Sequence, residues 1–197
     1  MSAKILRVAD YRRMRWKNGG GWTTELAASA SAGDGGDFDW RISIAEIESD
    51  GAFSAFPGYD RSIALLEGPG MELQFDAAEP VRLDQRLRFV RFAGEAKAFG
   101  RLLGGAVRDF NVIVRRDVMR AEVLHRPLVG PMVFLPEAST TWFVYLVAGQ
   151  AALKDVAGMQ IEAGESLLLQ PGDGARTRVL SGGGEVVLVK LTTAGPR

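Results

Sequence analysis

The sequence predicts an all-β protein made of two similar modules. Three observations carry this: apolar runs alternating with polar residues, glycine clusters separating those runs, and a weak internal repeat. The clearest strand is Phe38-Asp39-Trp40-Arg41-Ile42-Ser43-Ile44-Ala45-Glu46-Ile47, which places Trp40, Ile42 and Ile44 on one face and Arg41, Ser43 and Ala45 on the other. Further strands are expected at 61–67, 71–76, 87–92, 106–115, 118–124, 131–135, 142–148, 165–169, 175–180 and 185–192. One short helix is expected at residues 10–14, with Asp10 as its N-cap. The glycine clusters at 33–36 and 182–184 read as hairpin ends. The repeat pairs Ile63-Ala64-Leu65-Leu66-Glu67-Gly68, followed by a strand from Met71, with Val144-Tyr145-Leu146-Val147-Ala148-Gly149, followed by a strand from Gln150. Two modules of about 100 residues each suit it. They divide near Gly104-Gly105 into 1–105 and 106–197.

Composition narrows the function classes. Lys plus Arg and Asp plus Glu are equal at 24 each, so no net field holds the chain on a polyanion and nucleic-acid binding is disfavoured. Cysteine is absent, which excludes disulfides and thiolate metal sites. The N-terminus interleaves charge with apolar residues, unlike a secretory signal, and no apolar run approaches the roughly 20 residues that span a bilayer. A cytoplasmic protein without a membrane partner is expected.

In the second module, Gly164-Glu165-Ser166-Leu167-Leu168-Leu169-Gln170-Pro171-Gly172 resembles the second conserved motif of cupins, a strand between a glycine turn and a proline-glycine turn. Metal-binding cupins carry a histidine three residues after that last glycine, where this chain has Ala175. The resemblance implies a double-stranded β-helix (cupin, or jelly-roll) scaffold without its metal ligand.

Four ordered segments resemble the HutD/Ves family: Trp16-Lys17-Asn18-Gly19-Gly20-Gly21-Trp22-Thr23-Thr24-Glu25, the strand at 38–45, Phe53-Ser54-Ala55-Phe56-Pro57-Gly58-Tyr59-Asp60-Arg61, and Arg108-Asp109-Phe110-Asn111-Val112. The resemblance implies a bicupin of two packed β-barrels, found beside histidine-degradation genes in bacteria, with a ligand-binding or regulatory role and no established catalytic activity. Trp22 departs from the family, whose members often have Thr there.

Several residues are candidates for a site, each with a plainer alternative. Trp16-Lys17-Asn18-Gly19-Gly20-Gly21 is either a nest of backbone N–H groups for an anion, with Lys17 adding charge, or a tight turn. Arg41 either reaches solvent or turns its planar fork towards a ligand carboxylate beside Ser43. Arg61 either pairs with Asp60 or opens a strand at the pocket mouth. Asn111, inside an apolar run, needs partners, supplied by a neighbouring loop or by a ligand. His125 is the sole histidine and reads as the end of a strand. One histidine cannot make a two-histidine, one-carboxylate or three-histidine metal site.

The sequence therefore points to a cofactor-free, metal-independent binder of a small anionic metabolite. Its site would comprise Trp16, Lys17, Asn18, Gly19, Gly20, Thr23, Arg41, Ser43, Arg61 and Asn111 in the first module. By the family resemblance the metabolite is a formylglutamate-like product of histidine degradation, and a homodimer is compatible with this reading. One rival is a metal-independent isomerase or hydrolase with Glu25, Asp60 or Asp109 as base. The other is a regulator that binds a protein partner and no ligand.

Overall fold

The computed structural model describes residues 1–29, 38–76, 79–172 and 176–195. Residues 33–36 and Ala175 lie outside the described residues. The chain forms two compact units, Arg12–Met119 and Met1–Tyr11 together with Arg120–Arg197. It opens with β1 (Ser2–Leu6) and a single 3-10 turn at Val8–Asp10. Next come β2 (Arg12–Arg15), β3 (Gly21–Ala28), β4 (Trp40–Ile47), β5 (Gly51–Ala52), β6 (Tyr59–Glu67), β7 (Met71–Phe75), β8 (Val81–Leu83), β9 (Val90–Ala93), β10 (Ala98–Leu102) and β11 (Val107–Arg115). The chain ends with β12 (Met119–Phe134), β13 (Thr140–Leu153), β14 (Gln160–Glu162), β15 (Ser166–Gln170) and β16 (Arg178–Thr193). The protein is all-β, as its period-two patterns require. Among the described residues no helix is long and apolar enough to cross a membrane.

The Arg12–Met119 unit contains a six-stranded sheet ordered β2-β3-β4-β11-β6-β9 and a four-stranded sheet ordered β5-β10-β7-β8. Both supply one apolar core: Ala45, Ile47, Ile63, Leu65 and Val107 from the larger sheet, Met71, Leu73 and Leu83 from the smaller. The other unit is one sheet, β1-β15-β13-β16-β12, with β14 on β13. The long strands β13 and β16 both feed its core, through Val144, Leu146, Ala151, Leu153, Leu180, Val186 and Leu188. Leu167 and Leu169 of the cupin-like segment are buried in it as well.

Closed barrels were the expectation, and here the structure differs. Among the described residues all three sheets are open paths, with β2 and β9 at the edges of the larger one. The reason lies at residues 68–70, where the chain leaves β6 in one sheet and enters β7 in the other. In the Arg12–Met119 unit the apolar faces are buried sheet against sheet, without ring closure.

The module boundary also shifts. A division at 105 would send β11 to the second module. Yet β11 is the central strand of the first, with Val107–Val114 paired to β4 and Arg108–Arg115 to β6. The first eleven residues belong with the C-terminal unit: β1 pairs β15, and the Tyr11 hydroxyl lies 3.0 Å from the Gly164 carbonyl and 2.7 Å from the Ser166 hydroxyl. Pairings this distant leave no mark on local patterning.

Three local expectations are also revised. The helix expected at residues 10–14 is strand β2, because Arg12–Arg15 pair with β3. Asp10 instead accepts from the Arg7 N–H behind it, at 2.8 Å. Residues 182–184 lie inside β16, not at a hairpin end, since Gly149 faces Gly184 in register. The backbones approach so closely there that a Cβ on Gly149 would lie 1.9 Å from the Gly183 carbonyl oxygen. His125 lies within β12, its Nε2 2.7 Å from Glu185 Oε1.

Candidate functional site

Register builds the site. In β4, β11 and β6 residues directly opposite one another share a face of the sheet. Ser43 faces Asn111, Ala45 faces Asp109, and Arg41 and Arg61 both flank Ile113. This face is apolar at one end, where Ile47, Val107 and Leu65 enter the core, and polar at the other. The polar end opens on a cavity of about 490 Å³. Trp16, Lys17, Asn18, Thr23, Arg41, Ser43, Arg61 and Asn111 all line it. These are eight of the ten residues singled out from sequence, brought together from β3, β4, β6, β11 and the turn before β3.

Gly19 and Gly20 do not line it, and their amides are engaged. The Gly19 N–H donates to the Trp16 carbonyl at 3.0 Å, and the Gly20 N–H to Asn18 Oδ1 at 3.1 Å. The triple glycine is therefore a turn and not an anion nest. Gly19 takes a φ of +74°, and a Cβ on Gly21 would lie 2.2 Å from the Glu46 carbonyl oxygen. The turn holds Trp16 over the cavity, with its indole Nε1 donating to Thr23 Oγ1 at 2.8 Å. Trp22 takes no part, since its ring lies under the guanidinium groups of Arg13 and Arg15 at 4.2 and 4.9 Å.

The cavity is cationic and aromatic. Arg15, Lys17, Arg41 and Arg61 line it with Phe53 and Phe56, and among the described residues no carboxylate lines it. Arg61 is only 5% exposed. Its Nη2 donates to Asn111 Oδ1 at 3.0 Å and its Nη1 to the Ser54 carbonyl at 3.1 Å. Its guanidinium lies 5.0 to 5.5 Å from the rings of Phe53, Phe56 and Phe92. Arg41 lies 4.8 Å from Phe38 and 5.3 Å from the same Phe56. The Nε atoms of both arginines are buried without a partner among the described residues. Burial lowers the pKa of Arg41, against the pull of Glu25 and Tyr59. Burial lowers Arg61 to about 10, Asp109 opposing and Arg41 adding to the effect.

Behind this wall lies Asp109, with 0% exposure. Its Oδ1 accepts from Asn111 Nδ2, while its Oδ2 is buried without a partner. Burial raises its pKa to about 7, against the lowering effects of Arg61 and of the Asn111 hydrogen bond. Of the three candidate bases, Asp60 turns away to Arg116 Nε at 2.6 Å and is half exposed, and Glu25 interacts with Arg41. Neither of them, nor Asp109, is among the lining residues.

Phe53, Ser54, Phe56, Met14 and Arg15 line the cavity without having been singled out. Phe53 to Phe56 stood in a quoted motif, but no periodicity marks a loop residue as a wall. A cupin metal does not fit here. Among the described residues no group of three His, Cys, Asp or Glu side chains can hold a metal ion, and a cavity lined by four cationic side chains repels one.

The HutD family profile matches residues 8–188. The chain is 46% identical over 120 residues to an uncharacterized 21.2 kDa protein in the hutC 3′ region of Pseudomonas putida, a match spanning 61% of this chain and 62% of that protein. It is 31% identical to protein Ves of Cronobacter sakazakii over 90% of this chain and 92% of the other. HutD from Pseudomonas fluorescens SBW25, solved in a formate condition, superposes with a TM-score of 0.84 at 33% identity, covering 98% of this chain and all of that one. The bacterial pirin YhhW from Escherichia coli, in complex with nickel(II), shares the fold at a TM-score of 0.70 and 13% identity, over 98% of this chain and all of that one.

Proposed function

The chain belongs to the HutD family, and from that membership and the cavity we propose a ligand-binding, regulatory protein of histidine catabolism that recognises a small anionic metabolite without a metal. One observation carries the proposal: two arginines, Arg61 buried and Arg41 half-buried, share the wall of one cavity, each with a buried Nε that has no partner and with no acid lining it among the described residues. Like charges so close favour an anion between them, and a guanidinium matches a carboxylate in geometry. The aromatic wall of Trp16, Phe53 and Phe56 suits the apolar stem of such an acid, and a volume of about 490 Å³ admits a metabolite of glutamate size. The hut-region location of the Pseudomonas putida relative supports a formylglutamate-like acid, and formate is the smallest carboxylate. We read the two units as degenerate cupins, together a bicupin. The glycine and proline-glycine turns around β15 and the pirin likeness support that reading.

Calorimetric titration tests the function. Glutarate, glutamate and N-formylglutamate should bind the wild type, with affinity falling as salt rises, whereas the uncharged diamide of glutaric acid should not. Failure of every acid to bind would remove the proposal and favour a partner-binding role.

A further inference from the structure

Resting on the binding reading above, we infer that Asp109 is a positioning residue that holds Arg61 through Asn111 and takes up a proton when an anion enters the cavity. The geometry sets a chain of three residues on one sheet face. Asp109 Oδ1 accepts from Asn111 Nδ2, and Asn111 Oδ1 accepts from Arg61 Nη2. A carboxylate can only accept, so it dictates that Asn111 turns its NH₂ inward and its oxygen outward to Arg61. Were the amide reversed, an NH₂ group would face the guanidinium and the hold would be lost.

Asp109 is also the internal counter-ion of Arg61. It is fully buried, with Oδ2 unpartnered among the described residues, and Arg61 and the Asn111 hydrogen bond stabilise its charge. The groups facing this region from the neighbouring elements are few. Ala45 and Leu65 stand opposite Asp109 in register, and the smaller sheet adds Met71, Leu73 and Leu83, none of them titratable. The remaining charges among the described residues are Arg41, which acts on Arg61, Glu25, which acts on Arg41, and Arg15 and Lys17 on the cavity wall. When a ligand carboxylate pairs with Arg61, a second negative charge stands near Asp109 while its own stabilisation is shared. The carboxylate then takes one proton from solvent and becomes the neutral acid. The balance is one ligand anion and one proton bound, with the net charge around Arg61 unchanged.

The sign follows from linkage. Proton uptake on binding means that affinity falls as pH rises. Asp109 has a pKa of about 7 without ligand, so the fall begins there. One linked proton corresponds to about a tenfold loss of affinity per pH unit.

Two measurements on the full chain test this. In the first, without ligand, nitrogen NMR follows the Arg61 Nε–H and the Asn111 side-chain amide between pH 5.5 and 8.5. Both should titrate together in the wild type, and neither should in Asp109→Asn. In the second, glutarate is titrated calorimetrically at pH 6, 7 and 8 in buffers of different ionisation enthalpy. Wild type should take up little at pH 6, about half a proton at pH 7 and close to one at pH 8, and lose about fivefold in affinity from pH 7 to 8, and Asp109→Asn should do neither. The wild-type proton count needs no variant, so misfolding of Asp109→Asn would leave the test intact. Resonances that stay fixed overturn the assignment of Asp109, whatever binds. Resonances that move while glutarate binds without proton uptake overturn the coupling. If no acid binds at any pH, the binding reading falls, and the resonances alone decide whether Asp109 holds Arg61.

Discussion

Replacing Asp109 by Asn should change the way stability depends on pH, by an amount the structure supplies. An ordinary aspartate carboxyl has a pKa of 3.8, and burial raises Asp109 to about 7. Between those values the folded protein holds a proton on Asp109 that the unfolded chain has released. Stability therefore falls as pH rises from about 4 to 7, by about 1.4 kcal/mol per pH unit, and levels off above. The whole gap is worth about 4 kcal/mol. Asn cannot ionise, so its variant lacks this slope. Its amide oxygen can take the bond from Asn111, but its NH₂ then occupies the unpartnered Oδ2 position, at a cost of about 1–3 kcal/mol independent of pH. Urea unfolding of both proteins at pH 5, 6, 7 and 8 isolates the effect, because every other titrating group is common to the two. The stability of Asp109→Asn relative to wild type should rise by about 2 kcal/mol from pH 5 to 7 and level off by pH 8. Parallel curves would refute the reasoning: Asp109 would then titrate normally, with Arg61 fully compensating its burial.

Other outcomes follow from the same structure. Arg41→Ala should weaken dicarboxylate binding by about 2–3 kcal/mol, and Arg41→Lys should recover only part of that, because an ammonium lacks the planar fork. Equal calorimetric affinities in all three proteins would remove Arg41 from the site. Gly149→Ala should destabilise by about 3 kcal/mol or more in urea, since its Cβ would lie 1.9 Å from the Gly183 oxygen at a φ of +92°. Gly183→Ala, with nothing within 4 Å, should stay within about 1 kcal/mol of wild type. Elemental analysis of protein purified without a metal-affinity tag should find no stoichiometric Zn, Fe, Mn, Ni or Cu. One firmly bound transition metal per chain would contradict the reading of the cavity.

The alternation of Trp40, Ile42 and Ile44 with Arg41, Ser43 and Ala45 determined by itself that β4 is a strand and that the arginine shares a face with Ser43, because side chains alternate about a pleated backbone. The ordered motifs determined the family and so nominated Trp16, Lys17, Thr23, Arg61 and Asn111. Trp16, Lys17 and Thr23 stand in one segment, far in the chain from Arg61 and Asn111, and all five line one cavity. What stands opposite each strand is another matter. The placement of β11 between β4 and β6 brings Asn111 to Ser43, and it also buries Asp109 with no partner for Oδ2 among the described residues. Nothing local distinguishes Asp109 from an exposed aspartate, because its pKa is set by burial and by Arg61, which is 48 residues earlier in the chain. Arg12–Arg15 show the same limit from the other side: beside an N-capping residue they read as a helix, and pairing with β3 makes them a strand. Local patterning records which face a side chain takes. Tertiary structure decides what that face meets, because hydrogen-bond pairing and burial are set by distant segments that the periodicity of any one stretch does not encode.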